Sequence, residues 1–521
     1  MRKSSSRGKG CQGAEGGSAA KAFGANHSRA LFQQASGFLR SGEPDQAAKI
    51  FQALIEQGST NPVVFSNFAA FLVTQGQCEK AEQLLLKALE LDPKLAHAYD
   101  TLAVLHLQTG NCLAALQSQR QAIHNLPGNP DYHCSEGIIL QQLDNLPASV
   151  VPFQRALRID PAHLRSLVNL GRSLHQLGEL GLAISLYRKV LELTPADADG
   201  HMNLASALLL TGHFEEGWLE YEWRLQSQHD SSYLPCVIPS CPRWRGEPAA
   251  QVGELLLVGE QGLGDMVQFM RYAKGLAVQG YQVKLCAPEK LHGLIQSSDL
   301  GATPCTPAQV ALAAPGCWSP LLSLPGLMQN CCDIGDVSEA YISVPEVAVM
   351  RWRSLLNVEK RPLIGLNWQG NPSSEIFHLK GRSLPLERLA PVAAALPCSL
   401  LSLQKGPGSE QLDDCTFRRQ FVTLQPEIDA TWDFVEMAAI MMNCDLVITT
   451  DTVTAHLAGG LGVPTWLLLK HIPDWRWGLN GDSTPWYPSM RLFRQKERNC
   501  WDLPIEQLVQ SLVATFGASD D

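Results

Sequence analysis

Long apolar runs are missing from this chain. No stretch of 18 consecutive apolar residues occurs in its 521 residues, so no membrane-spanning helix is expected. Charge is sparse: charged residues make up 18% of the chain and the formal net charge is -10. That balance leaves no basic excess for general nucleic-acid binding. Cysteine is present, with 15 residues, but no Cys-x-x-Cys pair occurs. The paired spacing of a structural zinc site is therefore absent, and free thiols in a reducing cytoplasm are expected. Tryptophan is missing from the front of the chain, since all 12 lie at or after Trp218. The basic start, with Arg2, Lys3, Arg7, Lys9 and Lys21 against Glu15, is not followed by an apolar core. No secretory signal peptide is expected, and residues 1–27 read as a disordered tail.

What is there is a repeat. Gly42, Gly76, Gly110, Gly178 and Gly212 share one 34-residue register, with Asp144 in the remaining slot. Five residues on stand Ala47, Ala81, Ala115, Ser149, Ala183 and Gly217, and Pro93, Pro127, Pro161 and Pro195 close four of the units. A 34-residue period with a small residue where two helices meet is the tetratricopeptide pattern. Six helix pairs fit between residues 28 and 231. A single pair cannot bury its own apolar face, so the units must stack into an α-solenoid whose inner surface can hold a partner. The sixth residue of each unit is polar: Gln33, Asn67, Thr101, Ser135, Asn169 and Asn203. These predict a polar ladder along the inner surface, in which Asn67, Asn169 and Asn203 can both donate to and accept from a peptide backbone.

The register stops near residue 231. A stretch carrying Pro235, Pro239, Pro242 and Pro248 follows and reads as a connector over 232–251. After it, short apolar runs alternate with helical patterns, which implies parallel sheets in an α/β fold. Strands are expected at Glu254–Gly259, Tyr281–Ala287, Leu363–Trp368, Ser399–Leu403, Asp445–Thr449 and Pro464–Leu469. Helices are expected over Met266–Val278, from Lys290, and over Leu386–Leu396, Thr431–Met442, Ala455–Leu461 and Ile505–Phe516. Pro304–Asp336 reads as irregular. Two Rossmann-like lobes follow, residues 252–350 and 351–521, with a cleft between them.

Ligands of open parallel sheets sit at the carboxyl ends of strands, so the turns after strands are the candidate sites. Gly262-Leu263-Gly264-Asp265 follows the first strand. Its glycines permit close approach of a ligand, and Asp265 is either a general base for a hydroxyl acceptor or a helix cap. Asp451, Thr452, Thr454 and His456 stand at a strand end and helix start, where free N–H groups attract phosphate; an N-cap with a packed histidine is the alternative. Asn367, Arg382 and Lys405 lie in or beside further turns of the second lobe, the last two as possible phosphate cations. The aromatic segments 473–477 and 485–488 read as packing between the lobes.

These stretches carry a resemblance. GEQGLGDMVQFMRY (259–272), GLNWQGNP (365–372), GRSLPLERL (381–389), SLQKG (402–406), DLVITTDTVTAHLAGGLGVPTWLLL (445–469), PDWRW (473–477) and PWYPSMRLFRQ (485–495) resemble the GT-B glycosyltransferases related to lipopolysaccharide heptosyltransferases. The match is to the branch with an N-terminal tetratricopeptide array. The plan is more loosely similar to O-linked N-acetylglucosamine transferase. The resemblance implies a metal-independent transferase without a cofactor, its nucleotide-sugar being a substrate, with an inverting outcome. It implies Asp265 as the base and Lys405, Asp451, Thr452, Thr454 and His456 at the nucleotide-sugar, and the turns add Gly264, Asn367 and Arg382 as candidates there. The family usually has glycine where this chain has Val453. The expectation is a cytoplasmic glycosyltransferase acting on a hydroxyl acceptor, with a protein or peptide held by the array. The rival is a non-catalytic scaffold whose lobes are degenerate or sense nucleotides.

Overall fold

The computed structural model describes residues 15–227, 234–312, 316–328, 339–375 and 380–517. The chain forms two compact units, residues 1–177 and 178–521.

The first unit consists of helices α1 (Glu15–Arg40), α2 (Pro44–Glu56), α3 (Pro62–Thr74), α4 (Cys78–Leu91), α5 (Ala96–Gln108), α6 (Cys112–Asn125), α7 (Pro130–Gln142), α8 (Leu146–Ile159) and α9 (Leu164–Gln176). The turns inside the pairs need a left-handed residue. Gly42, Gly76 and Gly110 supply it with φ of 77°, 70° and 77°, and Asp144 takes the same conformation at 61°. Glycine pays no Cβ penalty there, whereas aspartate does. Ala47, Ala81 and Ala115 are fully buried at the helix contacts, where a larger side chain would force the pair apart. The side chains of Asn61 and Asn129 accept the backbone N–H of Val63 and Asp131 at 3.1 and 3.0 Å, each just before a proline that opens the helix. Asn-Pro thereby sets two of the helix starts.

Of the residues 1–27 expected as a disordered tail, those from Glu15 on lie in α1. Residues 1–14 lie outside the described part; Ala19, Ala20, Ala22 and Ala25 are strong helix formers.

The second unit starts inside the repeat register. It holds α10 (Leu180–Leu193), α11 (Ala198–Leu210) and α12 (Phe214–Tyr221), then a 3₁₀ turn at Glu222–Gln226 and the α/β region. A boundary at 231–251 was expected, but the compact unit begins at Gly178. The reason is apolar: Leu180, Ala205, Leu209, Trp218 and Tyr221 share one core with Leu255, Phe269, Val447 and Leu467. The connector is likewise part of the fold. Cys236 N–H donates to the Gly259 carbonyl at 3.0 Å, and Trp244 N–H to Trp318 at 2.7 Å.

Two parallel sheets follow. The first has strand order β3-β2-β1-β4, with β1 Glu254–Val258, β2 Gln282–Cys286, β3 Ala302–Cys305 and β4 Cys317–Pro320. The second has order β6-β5-β7-β8-β9, with β5 Leu363–Asn367, β6 Ser399–Ser402, β7 Leu446–Thr450, β8 Thr465–Leu469 and β9 Met490–Arg494. The α/β expectation holds. Three strands escaped the sequence. β3 and β4 are only 4 residues long and contain prolines, and β9 is an edge strand with Arg491 exposed. The helix expected over Met266–Val278 is two helices, Leu263–Phe269 and Tyr272–Val278. Between them the buried Arg271 donates to the carbonyls of Gln268 and Trp486, both at 2.9 Å. The expected Leu386–Leu396 helix is a 3₁₀ turn running into a short helix, Ala390–Ala394. Among the described residues no helix is long and apolar enough to cross a membrane.

Candidate functional site

Strand order reverses between β5 and β7, and at such a switch point the loops at the carboxyl ends diverge and leave a crevice. Asn367 ends β5. Its Oδ1 accepts the hydroxyls of Thr449 at 3.1 Å and Thr452 at 2.8 Å, and its Nδ2 donates to Gln404 at 2.8 Å. The side chains of Asn367 and Thr452 are thus engaged with each other and brace the floor of the crevice. Asp451 immediately precedes Thr452, the cap residue of the helix Val453–Leu461, and Thr454 is buried in that helix.

The first sheet meets this place through the helix that follows β1. A Cβ built at Gly264 would stand 3.1 Å from Cδ2 of His456 and 3.6 Å from Cα of Val453. Gly264 sits at a helix-on-helix contact that a Cβ would crowd, whereas the sequence suggested ligand approach. Val453, where the family usually has glycine, stands in the same contact. His456 is buried; its Nδ1 lies 2.9 Å from the Tyr487 hydroxyl, and its ring stacks on Trp477 at 5.4 Å. Burial, with Arg476 and Arg271 nearby, pushes its pKa well below 6.5, so the ring is neutral. The packed-histidine alternative describes what its ring does here.

Asp265 closes the arrangement. Gly262 N–H donates to its Oδ2 at 2.9 Å, and Nη2 of Arg476 donates to its Oδ1. The carboxylate caps its helix, one of the two readings the sequence offered, and through Arg476 it also faces the second sheet. Arg476 is nearly buried, with 8% of its side chain exposed. It also donates to Asp474 at 2.8 Å and Gln268 at 2.6 Å. Burial disfavours its charge, but Asp474 and Asp265 outweigh that and hold it protonated. Burial raises the Asp265 pKa against the pull of Arg476. Burial, then Asp474, raises Asp451 to about 6, opposed by Arg382 and Arg476. Lys470, just past β8, is lowered by burial to about 8, with Asp451 and Asp474 opposing. Arg382 donates to the Asp451 carbonyl at 3.3 Å and to Glu375 at 3.4 Å. Three carboxylates, Asp265, Asp451 and Asp474, thus interleave with three cations, Arg382, Lys470 and Arg476. Of these, Asp265, Asp451 and Lys470 are displaced toward neutral pH, a common mark of binding and catalytic sites.

Lys405 stands apart. Its Nζ donates to the Ile428 carbonyl, and it lines a cavity of about 250 Å³ with Asp413, Arg418, Asp429 and Trp432. None of the six charged groups above lines that cavity. Sequence reasoning missed Lys470, and it read Asp474 and Arg476 only as part of a packing segment. The available signals were that a lysine directly follows β8 and that 473–477 comes soon after the same strand. Among the described residues no three His, Cys, Asp or Glu side chains gather as a metal site.

The polar ladder of the array is uneven. Gln33 is exposed, and Asn67, Ser135, Asn169 and Asn203 are half-buried. Thr101 is buried and donates to the His97 carbonyl at 3.0 Å, so it offers no groove contact. Asn169 Nδ2 donates to the Arg165 carbonyl at 2.8 Å, within its own helix.

With the helix pairs in place, the front of the chain can be compared with known families. A family model described as "Tetratricopeptide repeat" matches residues 38–105, and one described as "TPR repeat" matches 171–212. Those residues are tetratricopeptide repeats. Protein FlbA of Caulobacter vibrioides is 26% identical over 339 residues, which cover 60% of this chain and 55% of that protein. The chain thus spans about half the length of that relative. Among solved structures, YrrB, a TPR protein with an unusual peptide-binding site, is 24% identical with TM-score 0.30, covering 35% of this chain and 95% of that one. PilF of Pseudomonas aeruginosa is 21% identical with TM-score 0.31, covering 33% and 78%. TTC0263 of Thermus thermophilus is 19% identical with TM-score 0.31, covering 35% and 99%.

Proposed function

We propose that the α/β region is a glycosyltransferase with its two sheets as GT-B lobes, and that the tetratricopeptide array presents it with a protein or peptide acceptor. The observation that carries this reading is the convergence of Asp265 with Arg476, Asp451, Arg382 and Lys470 at strand carboxyl ends. Such a set suits transfer from a nucleotide-sugar. Asp265 takes the proton of the acceptor hydroxyl; its raised pKa strengthens it as a base, and the lone pairs not used by Arg476 and Gly262 remain to accept. Arg382, Lys470 and Arg476 offset the charge that develops on the leaving diphosphate. The resemblance to heptosyltransferases supports an inverting reaction without a metal, in the cytoplasm. In the rival, scaffold reading, the same charges bind a nucleotide-sugar without turnover.

A thermal-shift screen with nucleotide-sugars tests the proposal. A donor present at 100 times its Kd stabilises the fold by about 2.7 kcal/mol. Turnover is then assayed with that donor, with and without a chelator. The α/β half contains no Asp-x-Asp donor-metal motif, so turnover should persist in chelator. No shift with any nucleotide-sugar would overturn the donor site; a shift without turnover on any hydroxyl acceptor would favour the scaffold.

Donor binding should also depend on pH. Asp451, with a pKa of about 6, is neutral below that pH and repels a diphosphate above it. Lys470, at about 8, loses its attracting charge above that pH. Affinity should therefore fall as pH rises through each value, by about 10-fold where the ligand and the group are coupled by one pKa unit. Calorimetric titration between pH 5 and 9 checks this. Asp451→Asn should flatten the lower step only; an unchanged lower step would show that Asp451 does not face the donor.

For the array, replacing Asn67 and Asn169 together by Ala should weaken capture of a bound peptide about 5-fold or more, the scale of one or two lost hydrogen bonds. Stability and nucleotide-sugar affinity should stay unchanged. Adding Asn203→Ala should deepen the loss. Binding as tight as wild type in the triple variant would remove these amides from partner recognition.

A further inference from the structure

The last repeat reaches the candidate site directly. Trp218, Tyr221 and Arg224 follow one another at three-residue spacing along α12 and the 3₁₀ turn after it, and so share one face. Trp218 meets the ring of Trp475 edge-on at 5.1 Å, and Tyr221 lies 6.5 Å from the same ring. Trp475 stands between Asp474 and Arg476, the two groups that pair beside Asp265. The Tyr221 hydroxyl accepts Gln261 Nε2 at 2.7 Å. Arg224 grips Glu260 with two bonds, at 2.9 and 2.8 Å, both side chains being fully buried. Glu260 and Gln261 lead straight into Gly262, whose N–H holds Asp265.

Gln261 is left-handed with φ 60°. A residue with a Cβ is strained in that conformation, and such a conformation persists where surrounding contacts fix it. The contact made by the Gln261 side chain is the Tyr221 hydroxyl. We propose that Tyr221, a residue of the repeat array, is a positioning residue for Asp265: its hydrogen bond to Gln261 holds the turn in the left-handed form that places the carboxylate against Arg476. The same face of α12 fixes the Arg476 side through Trp475. What the positioned carboxylate does rests on the transferase reading; that it is positioned by the array does not.

Tyr221→Phe removes one oxygen and keeps the ring on Trp475, so the variant should fold. Amide hydrogen exchange of the full chain should then rise about 5- to 10-fold over residues 259–265, the scale of one lost hydrogen bond, with exchange in the remaining helices unchanged. With a donor in hand, kcat should fall about 10-fold while the donor KM stays within about 2-fold, since misplacement of a base weakens the transition state and not ground-state binding. Gln261→Ala should give a similar kcat loss, and the double variant no further loss, as expected for one shared contact. Unchanged exchange over 259–265, or a rise spread over the whole second unit, would overturn the positioning role. Wild-type protein that shows no turnover would defeat the transferase reading and leave the exchange result to decide the positioning.

Discussion

Asp265→Ala should lower turnover by roughly 10²–10⁴-fold, the usual scale for loss of a general base, with nucleotide-sugar affinity nearly intact. The structure sharpens this into a comparison. Asp265 also caps its helix through Gly262 N–H at 2.9 Å, and a lost cap costs about 1 kcal/mol. Asp265→Asn keeps an oxygen for that N–H and loses only the basic carboxylate. If proton transfer is the role, Asn and Ala should be equally inactive while Asn is the more stable. Turnover retained by Asp265→Asn would show that the residue is a cap and a partner for Arg476, no more. Folding should be read beside the kinetics, because removal of the carboxylate leaves Arg476 with Asp474 as its remaining ion-pair partner.

Arg224→Ala should destabilise the second unit by about 3–5 kcal/mol, the cost of leaving a buried charge without its partner. Arg224 and Glu260 are fully buried, and the carboxylate of Glu260 is otherwise met by Leu322 N–H at 2.8 Å. The loss should appear as a lower midpoint of thermal unfolding in the full chain. Replacing both residues, Arg224→Met with Glu260→Leu, should recover most of it, because a well-packed apolar pair does not carry the desolvation cost of two ions. A single-variant loss under about 1 kcal/mol would mean that water reaches Glu260 once Arg224 is gone.

The array was almost entirely legible in the sequence. Stacked helix pairs have only local requirements, namely a left-handed residue at the turn, a small residue at the contact and a stop after the second helix, and these recur every 34 residues as Gly76, Ala81 and Pro93 do. The strands β1, β2, β5, β6, β7 and β8 were legible for a similar reason, since each is an apolar run bounded by turn residues. β3 and β4 were not, because 4-residue strands containing proline owe their form to neighbours already in the sheet.

The candidate site divides along the same line. Asp265 and Asp451 could be found from the sequence, since each follows a strand at a turn. The sequence alone also determined the six helix pairs and the alternation that makes the sheets parallel. Tertiary structure decided what those residues meet. It gave Gly264 to helix packing, sent Lys405 to a separate cavity and brought Arg476 across to Asp265. It also joined the end of the array to the turn that holds Asp265. Such meetings link positions such as Tyr221 with Trp475, which no local period connects. Their pKa displacements depend on burial and on charges distant in sequence, so they exist only once the chain has folded.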